Sequence, residues 1–381
     1  MSDLRIVFVI TGLGTGGAEH MLCKLVEVAR SLSVRPMVIS LLDEGTLGDR
    51  IREAGAEVLC CHLDRPRGLL CLISVFRHVR RFRPDVIQGW MYHGSLFASL
   101  LGWVLPGHPA VLWSMRQTLY SLRDEPFRLR IIIRILALFS HKVGGVLYNS
   151  RLSMLQHQQA GLRSPRDEMI PNGFDLERYR IDEQRRSQVR AQWGMQNEVP
   201  VVGMVARVHP MKDHGNFIAA AGLLAKSLPE VRFVLVGEGT DGPALKALLE
   251  SAGIAGCTLC LGRIDHTEDI YPALDLLVLS SAWGEGWPNV LGESMACGVA
   301  CVATDVGESR QIIGETESIV PPRNPQALAR ACQDLLGLGS THLHVLGQQA
   351  RERVLKNFDI QVVFRRHVEL WQEYRRNGPE S

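Results

Sequence analysis

The sequence lacks a hydrophobic run long enough to span a membrane, and it lacks a dominant charge of either sign. Its longest apolar stretches, 95–106 and 131–139, fall short of the about 18 uninterrupted apolar residues that a spanning helix needs. The 42 Lys and Arg against 40 Asp and Glu leave a net charge of +2, which argues against nucleic acid as a partner. The first apolar run, 6–10, is too short for the core of a signal peptide. We therefore expect a cytoplasmic protein.

The sequence also lacks the usual patterns of a metal site or a disulfide framework. Its nine cysteines are an odd number, so they cannot pair completely within one chain, and a reducing compartment suits them best. Cys257 and Cys260 have the spacing of half a zinc site, but no second CxxC or CxxH follows. No Asp-x-Asp pair, an arrangement that can hold a divalent ion, is present. The cysteine pattern predicts buried structural thiols instead of a zinc site.

Length and periodicity predict two α/β domains. A chain of 381 residues is about twice the size at which single cores are common. Short runs rich in Val, Ile and Leu alternate with stretches of helix length, and each run is almost continuously apolar, as in a doubly wound parallel sheet covered on both faces. The predicted strands lie near 5–10, 36–42, 56–61, 85–89, 109–114, 143–148, 200–206, 231–236, 257–261, 275–279 and 299–303.

The domain boundary is predicted between the two series of strands. Residues 179–198 are polar and charged and follow the turn-forming triplet Pro171-Asn172-Gly173, so they are interpreted as a linker. The predicted domains are residues 1–178 and 190–358, and an amphipathic helix near 360–381 is expected to cross back to the first.

A glycine-rich loop follows the first predicted strand. Gly12, Gly14 and Gly17 satisfy GxGxxG between a strand and a helix, and Asp43 stands after the second strand, where a dinucleotide-binding protein places a ribose-binding carboxylate. The same glycines also suit another anionic or polar ligand, or a tight turn alone. This loop by itself leaves those three interpretations open.

Two cations lie on the loop after the strand near 200–206. Arg207 and Lys212 together suit a diphosphate, because guanidinium is a planar fork and ammonium a mobile point charge. In isolation they would be ordinary solvated side chains.

The segment 280–298 adds a second anion-binding element. Pro288 suits the first position of a helix, which would leave the amides of Asn289, Val290 and Leu291 unpaired at its positive end, where phosphate binds readily. Glu285 and Glu293 would flank that position and accept hydrogen bonds from sugar hydroxyls.

Glu285 and Glu293 form an E-x7-E pattern, and the stretch from Glu285 to Gly298 resembles the signature of retaining glycosyltransferases of family 4, which have the GT-B fold. The resemblance covers nearly the full chain. Its further matches are Gly16-Gly17-Ala18-Glu19, Trp90-Met91-Tyr92-His93, Tyr148-Asn149-Ser150, His157, Pro171-Asn172-Gly173, Arg207, Lys212, Val236-Gly237-Glu238-Gly239, Leu261-Gly262-Arg263 and Ala303-Thr304-Asp305-Val306-Gly307.

The resemblance implies two Rossmann-like domains facing a central cleft and a retaining, metal-independent hexosyltransferase. The co-substrate would be a nucleoside diphosphate sugar, with UDP favoured over GDP, and the acceptor a glycan or a lipid-linked molecule. The implied residues are His93 and Glu285 as catalytic, Gly16, Gly17, Arg207, Lys212, Asn289, Val290 and Leu291 on the diphosphate, Glu293 on the ribose, and Gly262, Arg263 and Ile264 at the base.

Two other questions stay open at this stage. The segments 65–83 and 128–142 combine apolar and basic residues, so they either contact an anionic membrane at its inner face or pack on the sheet with a solvated basic end. The alternatives to a glycosyltransferase are a nucleotide-sugar epimerase of similar fold, a regulatory subunit that binds nucleotide sugars, and an NAD-dependent oxidoreductase using Gly12, Gly14 and Gly17.

Overall fold

The computed structural model describes residues 3–65, 68–123, 125–314 and 318–376. These residues form two compact units. Unit 1 holds the described residues up to Gly173 and those from Ile360 to Arg376, and unit 2 is Phe174–Asp359. The last five residues of the predicted C-terminal helix, 377–381, and residues 66–67 of the predicted basic segment lie outside the described residues.

Unit 1 contains a parallel sheet of seven strands. The strands are β1 (Leu4–Ile10), β2 (Val34–Ser40), β3 (Glu57–Cys60), β4 (Val86–Trp90), β5 (Ala110–Met115), β6 (Gly145–Tyr148) and β7 (Asp167–Met169). Their order across the sheet is β3-β2-β1-β4-β5-β6-β7. The chain adds β2 and β3 on one side of β1 and then β4 to β7 on the other side. This change in the order of strands makes the sheet doubly wound.

Helices cover both faces of this sheet. They are α1 (Gly17–Ala29), α2 (Gly48–Glu53), α3 (Gly68–Phe82), α4 (Met91–Val104), α5 (Phe127–Phe139), α6 (Arg151–Gln159) and α14 (Ile360–Arg376). Side chains of β1 alternate between two cores, because successive residues of a strand point to opposite faces. Ile6 and Phe8 pack with α1, α2 and α14, whereas Val7 and Val9 pack with α3, α4 and α5.

Unit 2 contains a parallel sheet of six strands. The strands are β8 (Val201–Val205), β9 (Arg232–Val236), β10 (Thr258–Cys260), β11 (Leu276–Leu279), β12 (Ala300–Thr304) and β13 (Ile319–Val320), in the order β10-β9-β8-β11-β12-β13. The helices are α7 (Glu183–Gln192), α8 (His214–Ser227), α9 (Pro243–Ser251), α10 (Asn289–Ala296), α11 (Ser309–Ile313), α12 (Pro325–Gly337) and α13 (Ser340–Phe358). Two buried apolar clusters, one on each face, fix these helices to the sheet.

The predicted fold class, two doubly wound parallel-sheet domains, is confirmed. Each of the eleven predicted strands is present with its ends shifted by a few residues at most. The pattern missed β7 and β13, which are short edge strands of three and two residues. None of the described helices is both long enough and apolar enough to cross a membrane.

The predicted linker at 179–198 is wrong. This segment contains α7 and belongs to unit 2, and the chain passes between units at 173–174 and 359–360. Helix α7 is held in unit 2 by Arg190, whose charged side chain is fully buried. Its Nη2 lies 2.6 Å from Oδ2 of Asp275, and its Nε donates to the carbonyl of Ala273 at 2.9 Å. Oδ2 of Asp275 also accepts from the amide of Val201 at 2.7 Å, so this carboxylate ties α7 to β8.

Replacing Arg190 with Ala is expected to lower the free energy of unfolding of unit 2 by about 2–4 kcal/mol, because the carbonyls of Ala273 and Val199 would lose their donor and Asp275 would keep only Arg186, at 2.6 Å, as an ion-pair partner. The matched control is Arg185→Ala, since Arg185 lies on the same helix but its side chain is 43% exposed and pairs at 3.0 Å with Asp269, which is 39% exposed. It should cost less than about 1 kcal/mol. Urea unfolding followed by circular dichroism measures both variants, and equal losses would contradict the assignment.

Unit 1 buries a histidine in a chain of hydrogen bonds. Nδ1 of His157 lies 2.7 Å from the carbonyl of Ser153, so it carries the proton, and Nε2 accepts from the hydroxyl of Tyr92 at 2.9 Å. Burial lowers the pKa of His157 below its usual value near 6.5. His157 is therefore neutral in the folded protein at neutral pH.

The lowered pKa of His157 predicts that unit 1 loses stability as the pH falls. Below the pKa of the unfolded chain, near 6.5, the unfolded state binds a proton that the folded state does not, and the loss levels off at the folded pKa. Between about pH 7.5 and about pH 5.5, His157→Gln should reduce this loss by up to about 1 kcal/mol, with exposed His78→Gln as the control. Urea unfolding at both pH values tests it, and an unchanged pH dependence in His157→Gln would refute it.

Candidate functional site

The loops after β8, β9, β11 and β12 are joined to one another at the carboxyl edge of the unit 2 sheet. The amide of Val208 donates to the carbonyl of Glu238 at 2.8 Å, and that of Ala282 donates to Met211 at 2.8 Å. The amide of Glu308 donates to Gly286 at 3.0 Å. Open α/β sheets bind ligands outside the carboxyl ends of their strands, which makes this edge the candidate site.

Two glycines let these loops approach closely around Glu285. Gly284 has φ +84°, and a Cβ there would lie 2.1 Å from Sδ of Met211. Gly307 has φ +61°, and a Cβ there would lie 2.4 Å from the backbone oxygen of Glu285. A side chain at position 307 would force the loops apart, whereas one at position 284 would displace the side chain of Met211 and strain the left-handed backbone.

Lys212 and Glu285 form an ion pair at this edge. Nζ of Lys212 lies 2.5 Å from Oε1 of Glu285, and the two side chains are only 17% and 8% exposed. The hydroxyl of Ser281 donates to the same oxygen at 2.6 Å. Asp213, in a left-handed conformation, caps α8 by accepting from the amide of Asn216, and so ends the short 3-10 helix that carries Lys212. The site thus presents a largely buried ammonium group.

The second predicted cation, Arg207, has a different environment from Lys212. Arg207 lies two residues beyond the end of β8 and is exposed. Its guanidinium forms no ion pair within the part of the chain that the structure describes. Arg207 and Lys212 therefore share one loop, and only Lys212 is held by a carboxylate.

The predicted position of Pro288 at the start of α10 is wrong. Pro288 precedes the helix instead of occupying its first position, and α10 begins at Asn289. The amide of Leu291 donates to the carbonyl of Pro288 at 3.2 Å, so it is not unpaired. Asn289 and Val290 lie in the first turn, where the positive end of the helix dipole favours an anion.

Glu293 lies further along α10 and is partly buried beside a tyrosine. The hydroxyl of Tyr271 donates to Oε2 of Glu293 at 2.9 Å. Burial, and then the charge of Glu293, raise the pKa of Tyr271 well above its usual value, so it remains a donor. Sequence reasoning missed Tyr271, because it lies in a short 3-10 helix without a recognisable motif.

The predicted base-contacting residues occupy the loop after β10. The amide of Gly262 donates to the hydroxyl of buried Thr240 at 3.0 Å, so it supports the loop from within. Arg263 is exposed, with Nε 3.0 Å from Asp265, and Ile264 packs in part against the core. Of these three residues, Arg263 offers its side chain to solvent.

In unit 1, Gly16, Gly17 and His93 lie beyond the carboxyl ends of the paired strands β1 and β4. Gly16 precedes α1, which begins at Gly17. His93 lies in the first turn of α4 with part of its surface in solvent, and the desolvation of the remainder lowers its pKa. Gly94 lets α4 start directly against β1, since a Cβ there would lie 2.3 Å from the backbone oxygen of Val9.

Of the residues behind the dinucleotide interpretation, Asp43 has a structural role. Oδ1 of Asp43 accepts from the amide of Gly45 at 3.2 Å and closes a turn. Gly12 and Gly14 have ordinary φ values, and a Cβ would meet no close neighbour at either. Asp43 is thus committed to its own loop.

Arg116 is a buried cation that the sequence analysis did not select. It follows β5 and donates from Nη1 to the carbonyl of Ile170 at 3.0 Å and to Oδ1 of Asn172 at 3.1 Å. Burial lowers its pKa to about 9. Arg116 therefore fixes the backbone just before the chain leaves unit 1, a role that explains Asn172 in the Pro-Asn-Gly triplet.

No group of three or more His, Cys, Asp or Glu side chains that could hold a metal ion occurs within 3–65, 68–123, 125–314 and 318–376. The nine cysteines are free thiols. Burial raises the pKa of Cys61 and Cys301 to about 12, so neither thiol ionises at neutral pH.

Two family models match successive parts of the chain. The model described as Glycosyltransferase Family 4 matches residues 15–178, and the model described as Glycosyl transferases group 1 matches residues 199–337. The first match lies mainly in unit 1 and the second within unit 2.

Curated relatives and solved structures agree with these models. The chain is 22% identical over 333 residues to the Escherichia coli UDP-Gal:alpha-D-GlcNAc-diphosphoundecaprenol alpha-1,3-galactosyltransferase, with 82% of each chain covered. It is 31% identical over 182 residues to the D-inositol 3-phosphate glycosyltransferase of Rhodococcus jostii (strain RHA1), covering 45% of this chain and 40% of that protein. A structure of Anabaena HepE in complex with UDP has a TM-score of 0.82 at 21% identity and covers 97% of this chain and 100% of HepE.

The more identical relatives match over part of their length. The chain spans between 19% and 47% of the curated relatives that reach 31–33% identity. The E. coli relative is matched along most of its length at lower identity. A glycosyltransferase family model thus matches each of the two doubly wound units, and together with the shared fold these matches support a glycosyltransferase of the GT-B type.

Proposed function

We propose that the protein transfers a hexose from a nucleoside diphosphate sugar, UDP rather than GDP, to a glycan or lipid-linked acceptor in polysaccharide or glycoconjugate biosynthesis. The observation that carries the proposal is the Lys212–Glu285 pair, because it places an ammonium group beside a carboxylate at the ligand-binding edge of unit 2. The ammonium suits a diphosphate, and the carboxylate suits a sugar hydroxyl.

The printed names of similar proteins support the choice of substrates. The E. coli relative is named for UDP-Gal and for an acceptor linked to diphosphoundecaprenol. HepE structures hold UDP, UDP with glucose, and UDP-glucose. These names favour a uridine nucleotide and a lipid-linked acceptor for this chain.

The proposed reaction retains the anomeric configuration. The bond between the anomeric carbon and the diphosphate oxygen breaks, and the acceptor oxygen bonds to that carbon on the same face. The acceptor proton passes to an oxygen of the departing diphosphate. Lys212, Arg207 and the first turn of α10 neutralise the charge that develops on the diphosphate, which is the task a metal ion performs in other transferases.

The remaining roles follow the family resemblance. Glu285 holds a hydroxyl of the transferred sugar, Glu293 holds the ribose, and the loop 262–264 contacts the base. Gly16 and Gly17 contribute backbone amides to the diphosphate, and His93 orients the sugar or the acceptor. Tyr271 and Ser281 keep the two carboxylates in place through the hydrogen bonds described above.

Nucleotide binding without a metal ion is the first test. UDP and UDP-hexoses are expected to raise the melting temperature of the protein in the presence of excess EDTA, because Lys212 and Arg207 supply the positive charge. A thermal-shift panel of UDP, GDP, ADP and their sugars measures this. A requirement for added divalent ions would refute metal independence, and no response to any nucleotide would refute the proposed function.

The second test separates the roles of the ion-pair partners. Lys212→Ala should weaken UDP and UDP-hexose alike by about tenfold to a hundredfold, the worth of one charged hydrogen bond. Glu285→Gln should leave UDP binding undiminished, since it removes the carboxylate that competes for Lys212, and should abolish the extra affinity contributed by the hexose. Calorimetric titration measures both, with Lys226→Ala on exposed α8 surface as the control.

Equal weakening by Lys212→Ala and Lys226→Ala would show that the effect is one of overall charge. If Glu285→Gln weakened UDP as much as Lys212→Ala does, the assignment of Glu285 to the sugar would be wrong. Circular dichroism of each variant confirms that it is folded.

A further inference from the structure

Positive charge is concentrated in one part of the chain. Residues 65–166 contain fifteen Lys and Arg but only Asp85, Asp124 and Glu125 as acidic residues, a net charge of +12. The total is +2, so the rest of the chain carries −10. Asp85 is paired with Arg375 at 3.4 Å, which leaves it little capacity to offset this charge. The overall balance therefore conceals a strongly basic segment of unit 1.

Helices α3, α4 and α5 lie in this segment and on one face of the sheet. Val79 of α3, Ala98 of α4 and Ile133 of α5 belong to the same buried cluster, which also holds Val7 and Val9 of β1. The sides of these helices that point away from the sheet thus form one surface, which we name the α3–α5 face.

The α3–α5 face exposes large apolar side chains. Helix α5 shows this most clearly, because Phe127, Ile131 and Leu138 are 67%, 41% and 65% exposed. With Arg134 they follow spacings of four, three and four residues, so they line one side of the helix. The opposite side buries Ile133 and Leu136 in the core. Helix α5 is therefore apolar on two sides, and only one of them packs against the sheet.

Helices α3 and α4 extend this surface. Val104 of α4 is 61% exposed, and Leu100 is 49% exposed. On α3, Ile73 is 57% exposed, and Arg77 follows one turn later on the same side. The exposed apolar surface thus extends across all three helices, whereas the basic side chains come from α3 and α5, since α4 contains no Lys or Arg.

A groove of arginines borders the face where α3 ends. It is lined by Arg5, Arg77, Arg80, Arg81 and Arg83, together with residues at the end of α4. Nη1 of Arg5 donates to the carbonyl of Phe82 at 3.2 Å, which holds this side chain at the end of the helix. Several guanidinium groups around one groove suit phosphate groups.

We propose that the α3–α5 face is a docking surface for an anionic lipid bilayer. Apolar side chains interspersed with Arg match a membrane interface, where the acyl boundary accepts the first and acidic headgroups attract the second. A second copy of the face would meet like charge and be repelled. Nucleic acid would engage the arginines but leave Phe127, Ile131 and Leu138 in water. This inference goes beyond the proposed function and does not depend on it.

Co-sedimentation of the full protein with vesicles tests the proposal. We expect binding to vesicles of phosphatidylglycerol and phosphatidylcholine, little binding to phosphatidylcholine alone, and release by salt. Phe127→Ser, Ile131→Ser and Leu138→Ser combined should lower the partition coefficient at least about tenfold. Arg80→Gln, Arg81→Gln and Arg134→Gln combined should do the same and flatten the salt dependence.

Matched controls come from the exposed surface of unit 2. Leu248, Leu338 and Leu355 are 46–49% exposed, so their combined replacement by Ser controls for lost apolar surface. Lys226→Gln, Lys246→Gln and Arg330→Gln combined control for lost charge. Both control variants should bind vesicles like the unmodified protein.

Three results would overturn the proposal. These are no binding of the unmodified protein to anionic vesicles at low salt, equal losses in the control variants, and tighter binding to duplex DNA than to vesicles. A dimer in solution that the Phe127→Ser, Ile131→Ser, Leu138→Ser variant dissolves would assign the face to a second copy instead. UDP affinity is measured in parallel, so a protein that binds vesicles but no nucleotide would refute the proposed function alone.

Discussion

Burial of both faces of a parallel sheet is the constraint on which the rest of this structure depends. Parallel strands need crossover connections, and the helices in those connections must cover both faces. Ile6 and Val7, adjacent in β1, are both fully buried, one in each core of unit 1. Once both faces are occupied, only two places remain for ligands: the loops at the strand ends and the outer sides of the helices. The candidate site uses the first, and the α3–α5 face uses the second.

The ion pair at the edge of unit 2 shows how a site can be prepared for an anion. A lysine in a poorly exposed position needs a nearby carboxylate, because desolvation disfavours an isolated charge. Glu285 meets that need, and Ser281 satisfies the same carboxylate oxygen. A diphosphate could replace the carboxylate or share the ammonium group with it. In either case the ammonium group is already positioned, so little ordering is needed when the diphosphate binds.

The fold was predictable because buried parallel strands are continuous apolar runs. The strand at Val201–Val205, for example, is buried at every position. Strand β7 (Asp167–Met169) was not predicted because it is short and mainly polar. An edge strand has few neighbours, so it does not require apolar side chains. Helix α7 was mistaken for a linker because its sequence is polar. Nothing local reveals that Arg190 is buried against Asp275, 85 residues away.

That Lys212 and Glu285 lie on loops at the carboxyl edge of the unit 2 sheet was predictable, but that they form an ion pair was not. The loops of parallel strands gather at one edge, which places Lys212 and Glu285 in the same region of the sheet. Their direct contact depends on how two loops 73 residues apart cross, and Gly284 and Gly307 control that crossing through backbone conformations that spacing does not encode. The hydrogen bond from the amide of Leu291 to the carbonyl of Pro288 could not be predicted from spacing either. It depends on α10 beginning at Asn289, one residue later than predicted.

The charge distribution, unlike the pairing of Lys212 with Glu285, can be read directly from the sequence. The total net charge conceals it. A value of +2 correctly argues against a chain that is basic throughout, yet it averages a segment of +12 with a remainder of −10. Charge acts over about 10 Å at moderate ionic strength, so its distribution along the fold decides which surface attracts an anionic partner. Helices α3, α4 and α5 are consecutive in the chain and lie on one face of the sheet, so the basic residues of α3 and α5 are brought to one side of unit 1. The topology of unit 1 thus gathers a local bias in composition on one side of the unit.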